Sequence, residues 1–106
     1  MGQNFGVQIA GLGGFRQLLN INAPVVVKAL PGKLFRIVIN APGSAGQLTL
    51  NDNNQTGATN VAANQILSLA FSALSAGEIL ELNWPVSTGI CISSMPTGGQ
   101  VSVSYS

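Results

Sequence analysis

The chain is expected to fold as an all-β domain, an antiparallel β-sandwich or jelly-roll-like barrel of about seven or eight short strands. Three observations carry that expectation. Apolar and polar residues alternate with period two from residue 16 onward, as in Val101-Ser102-Val103-Ser104-Tyr105. Turn signals recur at intervals of about 8 to 12 residues, among them Pro31-Gly32, Pro42-Gly43, Asn51-Asp52-Asn53-Asn54, Gly89 and Pro96-Thr97-Gly98-Gly99. No segment joins helical periodicity to a clear cap. A length of 106 residues supports one domain with one modest core. The chain divides into a Gly-rich N-terminal arm, residues 1–15, and a single sandwich domain, residues 16–106.

Arg16 to Ile21 and Val25 to Leu30 read as the first two strands. Pro31-Gly32 suits the centre of a type II turn, with Gly32 taking positive φ. Tight hairpins prefer the primed turns, so this corner is expected to pass from one sheet to the other. Lys33 to Asn40 sets Phe35, Ile37 and Ile39 on one face and Leu34, Arg36 and Val38 on the other. A strand apolar on both faces belongs inside a sheet. Gln47 to Leu50 turns Leu48 and Leu50 inward.

Residues 57–76 admit two readings. Leu67, Phe71 and Leu74 have helical spacing, while Ile66 to Phe71 also fits a strand; the strand is preferred because the rest of the chain is β. Ile79 to Trp84 is expected to place Leu80, Leu82 and Trp84 on one face and Glu81 and Asn83 on the other. Pro85, which lacks an amide donor, suits a strand end or a sheet edge. Ile90-Cys91-Ile92 and Gln100 to Tyr105 complete the set, the last pairing inside a sheet. The tetrapeptide Ile21-Asn22-Ala23-Pro24 recurs as Ile39-Asn40-Ala41-Pro42, both at strand ends where Asn and Pro are at home.

Charged residues are 7% of the chain, against about 25% in ordinary soluble domains. Ser, Thr, Asn, Gln and Gly take the polar positions. Such a surface is cheap to desolvate, which predicts that another protein covers it; an extracellular domain with a neutral surface is the other reading. The net charge of +1 arises from Arg16, Lys28, Lys33 and Arg36 against Asp52, Glu78 and Glu81. Four scattered cations form no basic stripe, so nucleic acid is not an expected partner.

The chain has no histidine. Glu78 and Glu81 fall on opposite faces if both lie in one strand, which makes a poor acid–base pair. Cys91, the single cysteine, cannot form an internal disulfide and has no histidine to activate it; it reads as a small apolar filler. Metal ligation by Cys and His fails by count, and one carboxylate among Asn51 to Asn54 is too few for a calcium loop. Gly11, Gly13 and Gly14 fit neither GxGxxG nor a P-loop. The expectation is a non-enzyme, with no cofactor and no small-molecule substrate. The N-terminus lacks the pattern of a secretory signal, and no stretch approaches the roughly 18 apolar residues of a membrane span. A reducing cytoplasm and no membrane partner are expected. Phe5, Val7, Ile9, Leu12 and Phe15, spaced among small residues of the arm, are the candidate protein-interface residues.

Several segments together resemble a known family: Lys28-Ala29-Leu30-Pro31-Gly32-Lys33-Leu34, the strand Ile37-Val38-Ile39, Asn40-Ala41-Pro42-Gly43, and a Thr49-containing strand ending in Asp52-Asn53. Trp84-Pro85, Gly89-Ile90 and Val101 to Ser106 follow the same plan. The chain is similar in these respects to small β-sandwich virion proteins of tailed bacteriophages, the capsid decoration (cement) or head-fibre type. The resemblance implies a virion protein assembled in the host cytoplasm and carried on the capsid surface. It implies the major capsid protein and copies of the chain itself as partners, a trimer being the favoured homo-oligomer, and a decoration role that stabilises the head. A small head-fibre, neck or tail structural protein is the alternative within that class. A carbohydrate-binding β-sandwich module is a different class, and it needs exposed aromatic rings. Trp84 and Tyr105 are both expected to face the core, which leaves no such platform.

Overall fold

The computed structural model describes residues 16–44 and 46–106. Eight strands follow one another: β1 Arg16–Ile21, β2 Val25–Lys28, β3 Gly32–Ala41, β4 Gln47–Asn51, β5 Gln65–Ala70, β6 Ile79–Val86, β7 Ile90–Ser94 and β8 Gln100–Tyr105. Single 3-10 turns, Ala62–Asn64 and Phe71–Ala73, bracket β5. The stretch with two readings is therefore a strand, and Phe71 enters the core from the turn that ends it.

The strands form two four-stranded sheets, ordered β1-β8-β3-β6 and β2-β7-β4-β5, with every pairing antiparallel. The order has a simple origin. β4 pairs with β5, β3 with β6, β2 with β7 and β1 with β8, as in one long hairpin folded at its midpoint. Two further pairings, β3 with β8 and β4 with β7, arise when that hairpin is rolled up. This is the jelly-roll order. It puts β3 and β8 inside the first sheet, as their apolar pattern predicts, and sends the corner after β2 from the second sheet to the first.

Between the sheets, Leu34, Ile37 and Ile39 of β3 pack with Leu48, Leu50, Ile90, Ile92, Val101, Val103 and Phe71, all buried. The repeated tetrapeptide finds a place here: Ile21 and Ile39 are both partnered by Val101, one from each side of β8. Just outward of them, the Asn40 amide donates to Asn20 Oδ1 at 3.1 Å and to Ser102 Oγ at 2.8 Å.

Three expectations are corrected. Gly32 does not take positive φ. It opens β3, and its glycine identity is explained by proximity: a Cβ there would stand 2.0 Å from the Ser106 carbonyl oxygen. Phe35 does not share a face with Ile37, because an irregularity between Leu34 and Arg36 shifts the alternation and sends Leu34 inward instead. Trp84 does not continue the inward face of Leu80 and Leu82. Asn83 adopts a left-handed φ of 50°, the pairing with β3 shifts register between Glu81 and Trp84, and the indole emerges 50% exposed and unpacked from the core. Tyr105 does pack against the core, as expected.

Candidate interaction surface

Charged groups are so few that the bonds of each can be followed. Asp52 begins the long loop after β4, and its carboxylate is held by the turn between β6 and β7. The amides of Ser87, Thr88 and Gly89 donate to it at 2.9, 2.8 and 3.1 Å, and the Ser87 hydroxyl donates at 3.1 Å. Burial pushes this carboxyl upward, but the four hydrogen bonds outweigh burial and hold its pKa below the usual carboxylate value. Glu78 accepts the Ser75 amide at 3.1 Å and caps its own turn. Glu81 pairs with Arg36 across β6 and β3 at 3.0 Å, both side chains being more than half exposed. The three carboxylates thus stand in three separate structural arrangements, and no two of them form a pair.

Cys91 is buried in β7, where its thiol donates to the Gln55 carbonyl at 3.3 Å. Burial pushes the thiol pKa up, with the Asn60 side chain opposing in part, so the thiol stays protonated and enclosed.

Around it runs a network that sequence reading treated only as turn composition. Asn51 is 2% exposed; its amide donates to Asn64 Oδ1 at 2.6 Å and to the Val61 carbonyl at 3.1 Å, and its oxygen accepts the Ser93 hydroxyl at 2.5 Å. Asn53 donates to the Gln55 carbonyl, Thr59 Oγ1 and Asn60 Oδ1. These amides replace a sheet ladder in fixing residues 52–64 against the sandwich. The signal in the sequence was the density of Asn, at 51, 53, 54, 60 and 64.

The outer face of the first sheet is shallowly grooved. Ser102 and Ser104 of β8 make a low floor between Gln17 and Leu19 of β1 and Arg36 and Val38 of β3, enclosing about 240 Å³. A second hollow of about 380 Å³ continues over Ser104 to Phe35, Glu81 and Asn83. Leu19, Ile79 and Trp84 are exposed on strands of this sheet, and Leu30 and Val61 are exposed elsewhere. Phe5, Val7, Ile9, Leu12 and Phe15 lie outside the described residues. Among the described residues, the groove and the exposed apolar side chains are the features that fit contact with another molecule. Neither the groove nor the emergence of Trp84 was read from the sequence, although Asn83, a residue tolerant of left-handed φ, marked the place. Comparison with protein-family models, with curated proteins and with solved structures found no match for this chain.

Proposed function

We propose that the chain is a structural virion component, a capsid decoration protein that binds the head of a tailed bacteriophage as a small homo-oligomer, a trimer, and stabilises it. The observation that supports this reading is the surface. Leu19, Leu30, Val61, Ile79 and Trp84 are exposed on a jelly-roll sandwich whose polar positions are overwhelmingly uncharged, so covering it sheds little bound water from ions. Many copies docking on one shell gain affinity through multivalency, with no need for a deep site in any one copy. On this reading the protein catalyses no reaction, needs no cofactor, and uses Phe5, Val7, Ile9, Leu12 and Phe15 to grip a neighbouring subunit.

The test is co-sedimentation with purified particles. The full chain should appear in stoichiometric amounts, and a chain lacking residues 1–15 should remain folded but be missing from the particles. Particles carrying a full complement of the truncated chain would overturn the arm's role, and particles lacking the full-length chain would overturn the decoration reading.

The exposure of Trp84 favours a second reading, a glycan-binding module. Trp84 stands on the edge strand β6 beside Asn83, and a ring with polar neighbours is what a sugar face requires. Trp84 is the only tryptophan, so a saturable change in tryptophan fluorescence on adding sugars would support this reading against the first.

A further inference from the structure

Among the described residues the two sheets leave four edge strands, β1, β6, β2 and β5. Charge, proline, short length and irregular backbone are the devices by which an edge excludes a further strand. β1 opens with Arg16 and loses regular pairing after Leu18, with Asn20 at a φ of 56°. β2 is four residues long and ends in Lys28. β6 carries Glu81, Asn83 at positive φ, and Pro85 without an amide. β5, Gln65-Ile66-Leu67-Ser68-Leu69-Ala70, has neither charge nor proline, and over residues 67–70 it pairs with β4 without irregularity. It is the one edge left unguarded.

The outer side of β5 is also unpaired. Alternate amides and carbonyls of an antiparallel edge strand point away from its neighbour, and among the described residues the backbone of residues 66–69 bonds to β4 alone. The apolar cover is incomplete as well. Leu67 and Leu69 are half-buried, whereas Leu50 and Leu48, directly opposite them on β4, are fully buried. An uncharged extended segment with an apolar residue at every second position would satisfy both deficits.

We infer that the β5 edge receives residues 5–9 of a neighbouring copy as an added strand. Phe5-Gly6-Val7-Gln8-Ile9 alternates apolar with small or polar residues, and residues 1–15 contain no Asp, Glu, Lys or Arg. Laid along β5, the segment partners the free amides and carbonyls and extends the apolar face of Leu67 and Leu69 with Phe5, Val7 and Ile9. Reach decides whose segment it is. Arg16 begins β1 at one edge of the first sheet, and β5 lies at the opposite edge of the second, so the direct line between them passes through the core. Residues 10–15 bridge about 25 Å at full stretch. The way round crosses four strands and a sheet separation, about 25 Å before any side chain is cleared. The arm of one copy therefore fits the next, a head-to-tail contact that three copies can close into a ring. This rests on the proposed grip of the arm on a neighbouring subunit, and not on the presence of a capsid shell.

Sedimentation and backbone amide exchange of the full chain, without particles, test this. The full chain should sediment as a small oligomer with slow exchange in β5. Val7→Lys in the arm and Ala70→Lys at the exposed end of β5 should each give monomers. Both should speed β5 exchange at least about tenfold while β3 stays protected in a folded sandwich. Gln17→Lys, exposed on the β1 edge, should change neither reading. An oligomer that survives Ala70→Lys but not Val7→Lys would overturn the β5 site and leave the arm's grip standing. Survival of both substitutions would overturn the grip as well. Loss with Ala70→Lys alone would mean that β5 pairs with a strand of another sandwich, and β5 protection that persists in diluted monomers would mean that the chain's own arm fills the edge. Either result overturns the inference, as does a full chain that is monomeric throughout.

Discussion

The carboxylate of Asp52 accepts both the amide and the hydroxyl of Ser87, at 2.9 and 3.1 Å, and so ties the loop after β4 to the turn between β6 and β7. Both Ser87 groups go to Oδ2, and the other oxygen, Oδ1, takes the amides of Thr88 and Gly89. Asp52→Ala leaves three amides of a tight turn without their acceptor and should cost about 2 kcal/mol at pH 7, since partial exposure lets water replace part of the loss. Because the folded-state pKa is depressed, this stabilisation is complete above the unfolded carboxylate pKa of about 3.9. It disappears as pH falls through the lower folded value. Urea midpoints of wild type and Asp52→Ala should therefore converge in acid. A constant gap between pH 7 and pH 2 would refute the account.

Gly99 packs directly beneath Phe71. A Cβ on Gly99 would stand 2.5 Å from the ring carbon Cε2, and the ring is fully buried. Gly99→Ala should therefore lower stability by about 1–3 kcal/mol through overpacking. Thermal unfolding would check this, and an unchanged midpoint would show that the ring can yield.

Trp84 and Phe71 offer a paired test of where the indole lies. Phe71→Ala removes a fully buried ring and should cost about 3–5 kcal/mol. Trp84→Ala removes a half-exposed ring that does not pack on the core and should cost under about 1 kcal/mol. In the folded chain the Trp84 emission should be that of a solvated indole, readily quenched by acrylamide. Comparable losses from the two substitutions would return Trp84 to the interior.

The Cys91 thiol is enclosed and its pKa is raised by burial. Its reaction with a disulfide reagent in native buffer should be slower than in urea by about a hundredfold or more, because labelling then requires the sandwich to open. Rapid native labelling would show that β7 is accessible.

Much of the architecture is legible in the residue pattern, and the reason is local. Whether Leu48 and Leu50, or Val101 and Val103, face inward depends on a period of two, which each strand carries within itself. Turn residues likewise place most strand ends, and the apolar double face of β3 reveals its interior position. The pattern misleads where the backbone departs from regularity. At Leu34–Arg36 and at Asn83 the irregular pairing shifts the alternation, so Phe35 and Trp84 do not lie where strict period two would set them.

What only the tertiary structure decides is which distant groups meet. The low count of ions and the absence of histidine are properties of the sequence itself, and they bound the chemistry before any folding is considered. The meeting of Asp52 with Ser87 and the close approach of Gly32 to Ser106 both depend on the rolled hairpin. Those contacts join residues far apart along the chain, through pairings whose partners no local period specifies.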